Sequence, residues 1–168
     1  MRRMLSILGS AIFLVIAPGI VAGYVPWRIC RWQIGAPLLG TPWSRLPGVL
    51  LIAAGLPVLL DSFARFAIQG LGTPAPVMPT RHLVVTGLYR YVRNPMYVGF
   101  ISGWVGLWVV FGRASLTALE VAVAAILAVE LFVRLYEEPH LRGKFGADYE
   151  EYCRNVPRWI PRLRPWTN

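Results

Sequence analysis

The sequence predicts an all-α integral membrane bundle of about four transmembrane helices, closing with a C-terminal helical hairpin and an interfacial amphipathic segment. Three observations carry this. Of 168 residues, 56% are hydrophobic and 15% are charged, and the mean hydropathy of +0.53 is well above that of a soluble domain of this size. Four apolar runs, about 4–24, 48–69, 95–111 and 115–136, approach or reach the length of about 20 residues that crosses a hydrocarbon core. The net charge of +9 is almost wholly arginine, since Lys144 is the only lysine, and these arginines gather in the loops and tail, where anionic headgroups would meet them.

The first run follows Arg2 and Arg3, as in a signal peptide. No convincing cleavage site stands around Val21-Ala22-Gly23 and three more runs follow, so it reads as the first span. In the second, Asp61 and Arg65 are four apart with the acid first, the favourable order for a pair on one helix face. Pro74, Pro76 and Pro79 make the next loop an extended connector. The third run begins after Asn94-Pro95 and turns at Gly112-Arg113 into the fourth. Gly99, Gly103 and Gly106 lie at i, i+4, i+7, with Ala118, Ala122 and Ala125 in similar periodicity, so the third and fourth helices are expected to pack closely as a hairpin. Beyond Glu137-Glu138-Pro139, Leu141, Phe145, Tyr149 and Tyr152 form an apolar stripe interrupted by Gly143 and Gly146. That stripe predicts an amphipathic helix at the interface, ended by Pro157 and Pro161, with Trp159 and Trp166 in the headgroup belt.

With both termini cytoplasmic, Arg81, Arg90, Arg93 and the arginines from Arg142 onward fall inside, as the positive-inside rule asks. Arg28, Arg31 and Arg45 in the first external loop are the exception. Cys30 then lies outside and Cys153 inside, so neither a disulfide framework nor a metal site is implied. With no internal repeat or low-complexity tract, the chain reads as a single membrane domain, 1–168. No basic helix or aromatic platform outside the membrane offers a face to nucleic acid. The arginine-rich style suggests a prokaryotic inner membrane, and oligomeric state is left open.

The stretch GLYRYVRNPMYVG, residues 87–99, is the chemical anomaly: arginines and tyrosines crowded at the mouth of an apolar run. Snorkelling arginines and a tyrosine belt would explain any one of these residues, but not the ordered set. Glu130 and Arg134 repeat the acid-first spacing on the fourth helix, and Glu137 and Glu138 follow at i+7 and i+8 from Glu130. Both pairs and the motif therefore converge at one depth, near the cytoplasmic side.

The ordered set GLYRYVRNPMYVG, Glu137-Glu138-Pro139-His140-Leu141, Phe145-Gly146 with Tyr149 and Tyr152, and Val156-Pro157-Arg158 with Pro161 resembles the isoprenylcysteine carboxyl methyltransferase and phospholipid methyltransferase superfamily. The resemblance covers about residues 79–163 and leaves the first two helices without a comparable motif. It implies a membrane-embedded enzyme that binds S-adenosylmethionine at the cytosolic face, with Glu137 and Glu138 in the cofactor site, and that methylates a lipophilic or membrane-associated acceptor, a carboxylate or an amine. Members commonly show Arg-His-Pro where this chain has Arg93-Asn94-Pro95. Asn94 keeps a hydrogen-bonding side chain but cannot titrate near neutral pH.

The chemistry of that cofactor fits the residues. Arg90 and Arg93 are candidates to hold its carboxylate. Tyr89 and Tyr97 offer electron-rich faces to a sulfonium, Glu137 or Glu138 would accept from the ammonium or the ribose, and Asn94-Pro95 starts the helix that walls the pocket. Arg134 is a candidate to orient an anionic acceptor, and Glu130 or Glu138 would be the base where an acceptor needs one. Two other readings fit parts of the pattern: an NADPH-dependent membrane reductase related to sterol reductases, whose C-terminal pattern is similar, and a non-enzymatic membrane scaffold.

Overall fold

The computed structural model describes residues 2–31, 33–71, 80–112 and 116–167. Among them there are helices and turns and no strand. The expected connector at Pro74, Pro76 and Pro79, and Arg113 in the later turn, lie outside the described residues.

Helix α1 (Arg2–Gly19) contains Pro18 and runs through a π turn, Ile20–Tyr24, into α2 (Val25–Cys30). Arg31, at φ 51, then stops it in the left-handed region. A 3-10 turn, Pro42–Arg45, leads into α3 (Leu46–Ile68). Pro95, whose missing N–H costs nothing in a first turn, opens α4 (Pro95–Val110). Helix α5 (Leu116–Phe132) passes through a second π turn, Val133–Glu137, into α6 (Glu138–Asn155).

Two helical stretches, Met4–Tyr24 and Pro42–Ile68, are long and apolar enough to cross a membrane. Helix α4 is as apolar but about 24 Å long at about 1.5 Å per residue, short of the roughly 30 Å hydrocarbon core. Large apolar side chains cover the outside of the helices: Val15 is 72% exposed, Leu50 60% and Leu127 56%. Burial concentrates instead at one end, where Val92, Val133, Tyr149, Tyr152 and Val156 are each 3% exposed or less. The chain thus has its dry core where its polar motifs lie.

The tight helix contact is between α3 and α4, not between α4 and α5 as the Gly99, Gly103, Gly106 spacing suggested. A Cβ on Gly55 would lie 2.5 Å from the Gly99 carbonyl oxygen, and one on Gly106 would lie 2.6 Å from the Gly48 carbonyl. The reason is register. Gly48 and Gly55 are seven apart, as are Gly99 and Gly106, so two antiparallel helices mesh both pairs at once and their backbones meet. Gly103 has nothing within 4 Å of an added Cβ.

The apolar stripe of helix α6 is turned inward: Tyr149, Tyr152 and Val156 form a buried cluster with Leu83, Val85, Leu141, Phe145 and Trp166 packed against it. Only Gly146 (φ 53, ψ −124) interrupts the helix. Trp159 and Trp166 are half-buried, Trp166 with its ring centroid 5.7 Å from that of Tyr152.

Candidate active site

The motif folds first around a glycine. Gly87, at φ 56, opens the turn Gly87–Arg90, and a Cβ there would collide with the guanidinium of Arg65. Arg65 is fixed by Asp61 at 2.7 Å and donates to Thr86 Oγ1 at 3.2 Å, so the polar pair in α3 holds the start of the motif. At the other end Asn94 (φ −120, ψ 52) precedes Pro95. Its side-chain amide donates to the Arg158 carbonyl at 3.3 Å.

Residues 156–166 return as a strap along this motif. The Arg93 N–H donates to the Pro157 carbonyl at 2.9 Å, Arg162 to Tyr91 at 3.0 Å and Trp166 to Arg90 at 2.9 Å. Arg90 Nε donates back to the Trp166 carbonyl at 2.6 Å. Arg90 is thereby committed to holding the strap, and it does not line the cavity described next.

Between the motif and α6 lies a narrow cavity of about 60 Å³, part of it open to the outside. Tyr89, Arg93, Asn94, Tyr97, Glu137 and Glu138 all line it, as do Tyr149, Tyr152, Phe66 and Met96. The Tyr97 hydroxyl donates to Glu137 Oε2 at 3.1 Å, and the Tyr152 hydroxyl to the Tyr89 carbonyl at 2.7 Å. Burial pushes the phenols of Tyr89, Tyr149 and Tyr152 up, so all three stay protonated at neutral pH.

The two neighbouring glutamates have opposite surroundings. Glu138 is 3% exposed and faces three arginines: Arg158 Nε at 2.7 Å, Arg93 at 3.1 Å and Arg142 at 3.4 Å. Burial raises its carboxyl, but the Arg158 hydrogen bonds and the charges of Arg93, Arg158 and Arg142 outweigh that and hold it below the usual carboxylate range. Glu137 has no guanidinium within salt-bridge distance among the described residues. Its burial outweighs the hydrogen bond from Tyr97, and with the Glu138 charge beside it, its carboxyl is raised.

The π turn explains this division. Two α turns take about 7.2 residues, and a π turn takes up about one more, so Glu138, eight residues on, comes under Glu130 while Glu137 rotates toward the cavity. Arg158 marks the alignment by reaching both Glu138 and Glu130, the latter at 3.4 Å. Glu130 also accepts from Trp159 Nε1 at 2.5 Å and pairs with Arg134. Neither Glu130 nor Arg134 lines the cavity, and the Arg134 side chain is 59% exposed.

Arg158 and Arg142 are read from sequence only as cytoplasmic charges and Trp159 only as part of a headgroup belt, with no role in the site. Arg158 stood within a recognised motif, Val156-Pro157-Arg158, yet its bonds to Glu130 and Glu138 link positions 28 and 20 residues apart, which no helical period reports. Among the described residues no cluster of His, Cys, Asp and Glu is placed to hold a metal.

Residues 43–148 match the phospholipid methyltransferase family. That is well over half of the chain. The chain belongs to the phospholipid methyltransferase family. Curated relatives point the same way. A protein-S-isoprenylcysteine O-methyltransferase of Schizosaccharomyces pombe is 38% identical over 83 residues, 49% of this chain and 34% of the relative. A phosphatidylethanolamine N-methyltransferase of Laccaria bicolor is 33% identical over 118 residues, 68% of this chain and 12% of the relative. A methanethiol S-methyltransferase of Pseudomonas deceptionensis is 28% identical over 170 residues, 97% of this chain and 60% of the relative. The chain therefore spans only part of these relatives' lengths. No solved structure matches it. The motif, the glutamate pair and most of α6 all fall inside the region that matches the phospholipid methyltransferase family.

Proposed function

We propose that this chain is an S-adenosylmethionine-dependent methyltransferase of the membrane, acting on a lipophilic or membrane-associated acceptor at the cytosolic face. The observation that carries the reading is the cavity where Arg93, Tyr97 and Glu137 meet, formed by the motif and the glutamate pair together.

The residues present suit the cofactor. Arg93 Nε is buried without a hydrogen-bond partner, a donor suited to a carboxylate, and Arg93 lines the cavity. Among the described residues the carboxyl of Glu137 faces no guanidinium within salt-bridge distance, which suits an ammonium or a ribose hydroxyl. Tyr89, Tyr97 and Tyr149 supply aromatic surface that suits a sulfonium. When bound, the cofactor supplies an electrophilic methyl group, and what the protein adds is orientation and exclusion of water. Asn94 serves this reading through its hydrogen bond to the strap. Glu138, ringed by arginines, serves as the charge that holds Arg93 and Arg158 in place rather than as a base. An acceptor carboxylate needs no base, so a carboxylate or an amine delivered in its free form is compatible with the residues present.

In this reading α1, α3, α4 and α5 are four spans, the termini and the cavity face the cytoplasm, and the membrane is a prokaryotic inner membrane. The exposed apolar exterior supports the embedding, and the arginine distribution supports the orientation. The cofactor-binding part is about residues 79–163.

Calorimetry of S-adenosylmethionine and S-adenosylhomocysteine with the purified protein, in detergent and in lipid, tests this. Micromolar binding that is lost in an Arg93→Ala, Glu137→Gln double variant is expected. Absence of binding by the unaltered protein in both media overturns the reading.

A further inference from the structure

We propose that the outward face of the strap, residues 156–166, is a docking surface for the anionic headgroups of the membrane in which the helices sit. This rests on the membrane reading above but not on the cofactor.

The inner edge of the strap is spent. The Pro157 carbonyl and the Arg162 and Trp166 N–H groups are bonded to the motif, and Arg158 and Trp159 reach Glu138 and Glu130. Two large apolar side chains remain outward: Ile160 is 80% exposed and Leu163 99%. Scattered exposed apolar residues are ordinary, but these two continue an existing band. Trp159 bonds to Glu130, which sets the neighbouring Ile160 at the level of the end of α5, where Leu127 is 56%, Leu131 56% and Leu135 74% exposed. The same lipid that covers α5 therefore reaches the strap.

Charge selects the kind of lipid. No acidic residue follows Glu151, while Arg154, Arg158, Arg162 and Arg164 do. Arg158 is neutralised by Glu138 and Glu130, and Arg162 donates to the Asn155 carbonyl. Arg154 and Arg164 are exposed and have no ion pair among the described residues. Two free cations flanking two exposed apolar side chains match the boundary of an anionic bilayer, where apolar groups enter and each arginine is attracted to the surface. Asp148 and Glu151, exposed just before them on α6, would be repelled by the same surface, and Glu150 is paired with Arg142, so the attraction centres on the strap and the last turn of α6.

The test uses the whole protein in vesicles of phosphatidylcholine, with and without about one third phosphatidylglycerol. A spin label is placed at Leu163→Cys, or at Glu151→Cys as control, in a Cys30→Ala, Cys153→Ala background. The 163 label should be more accessible to oxygen than to a water-soluble nickel chelate, and more so with the anionic lipid, while the 151 label stays aqueous. Arg154→Glu with Arg164→Glu should weaken that dependence on the order of fivefold per arginine. Amide exchange of residues 156–166 in the unaltered protein gives a second reading that needs no variant, with slower exchange expected in the anionic vesicles. A 163 label that is equally aqueous in both vesicles, or exchange that ignores lipid charge, overturns the proposal. Neither readout involves cofactor, so failure here leaves the proposed activity standing.

Discussion

Glu137 and Glu138 are adjacent in sequence and opposite in electrostatics. Because burial raises the Glu137 carboxyl, the charge it offers a ligand is present above that raised value and is lost as pH falls through it. Affinity for S-adenosylmethionine should therefore decline on acidification at a higher pH than an exposed glutamate would give. Glu137→Gln should flatten that decline and weaken binding by roughly 10- to 100-fold, the worth of a charge-assisted hydrogen bond, as calorimetry across pH would show. Without ligand the sign for stability is the reverse, since ionising a buried carboxyl with a raised pKa costs stability as pH rises through it. Glu138 behaves the other way. Its carboxyl is held low, so the stability it supplies is full above the ordinary carboxylate range and is lost as pH falls through the depressed value. Glu138→Gln leaves Arg93, Arg142 and Arg158 without their shared anion. It should cost about 3 kcal/mol, the low end for breaking a buried pair, because Arg142 and Arg158 keep contact with solvent. Denaturant unfolding at neutral and acidic pH checks both the size and the loss of the acid slope.

At the level of elements, the helix positions were legible because apolar length and proline placement are local properties. The third predicted run, 95–111, matches α4, and Pro95 at its first turn is the reason. The partner of the glycine face was not legible from α4 alone. It required reading Gly48 and Gly55 as the same seven-residue spacing on a preceding helix, run antiparallel. This predicts an asymmetry: Gly55→Leu should disrupt the contact and cost about 1–3 kcal/mol through overpacking, whereas Gly103→Ala, with nothing near its added Cβ, should be neutral. Thermal unfolding in detergent separates the two. The π turn at Val133–Glu137 was equally hidden, since a run of apolar residues carries no mark of one extra residue in a turn. Yet that residue decides which glutamate meets Arg158 and which faces the cavity.

For the molecule as a whole, the cavity is a long-range construction. The sequence reading named Tyr89, Arg93, Asn94, Tyr97, Glu137 and Glu138, which the structure brings around one cavity. Arg90, Glu130 and Arg134 stand apart from it because their partners lie on the strap or on their own helix, and Pro95, expected among the cofactor-binding residues, is buried in the first turn of α4 and does not line it either. Those three could not be separated from the rest by spacing, which reports a shared face but not which neighbour covers it. Not one described residue beyond Tyr152 lines the cavity, yet the strap bonds to both walls. Truncation after Asn155 should therefore abolish cofactor binding while retaining helical circular dichroism. A truncated chain that still binds would show the strap to be dispensable.

The position of that strap sets the order in which the molecule becomes competent during its own synthesis. Residues 156–166 follow α1 to α6, so those helices can be synthesised before Arg158 exists to join Glu130 and Glu138. A nascent chain paused at that stage already holds Arg93 and Arg142 beside Glu138 and lacks only Arg158, whose link between Glu138 and Glu130 forms in one late step when the strap docks.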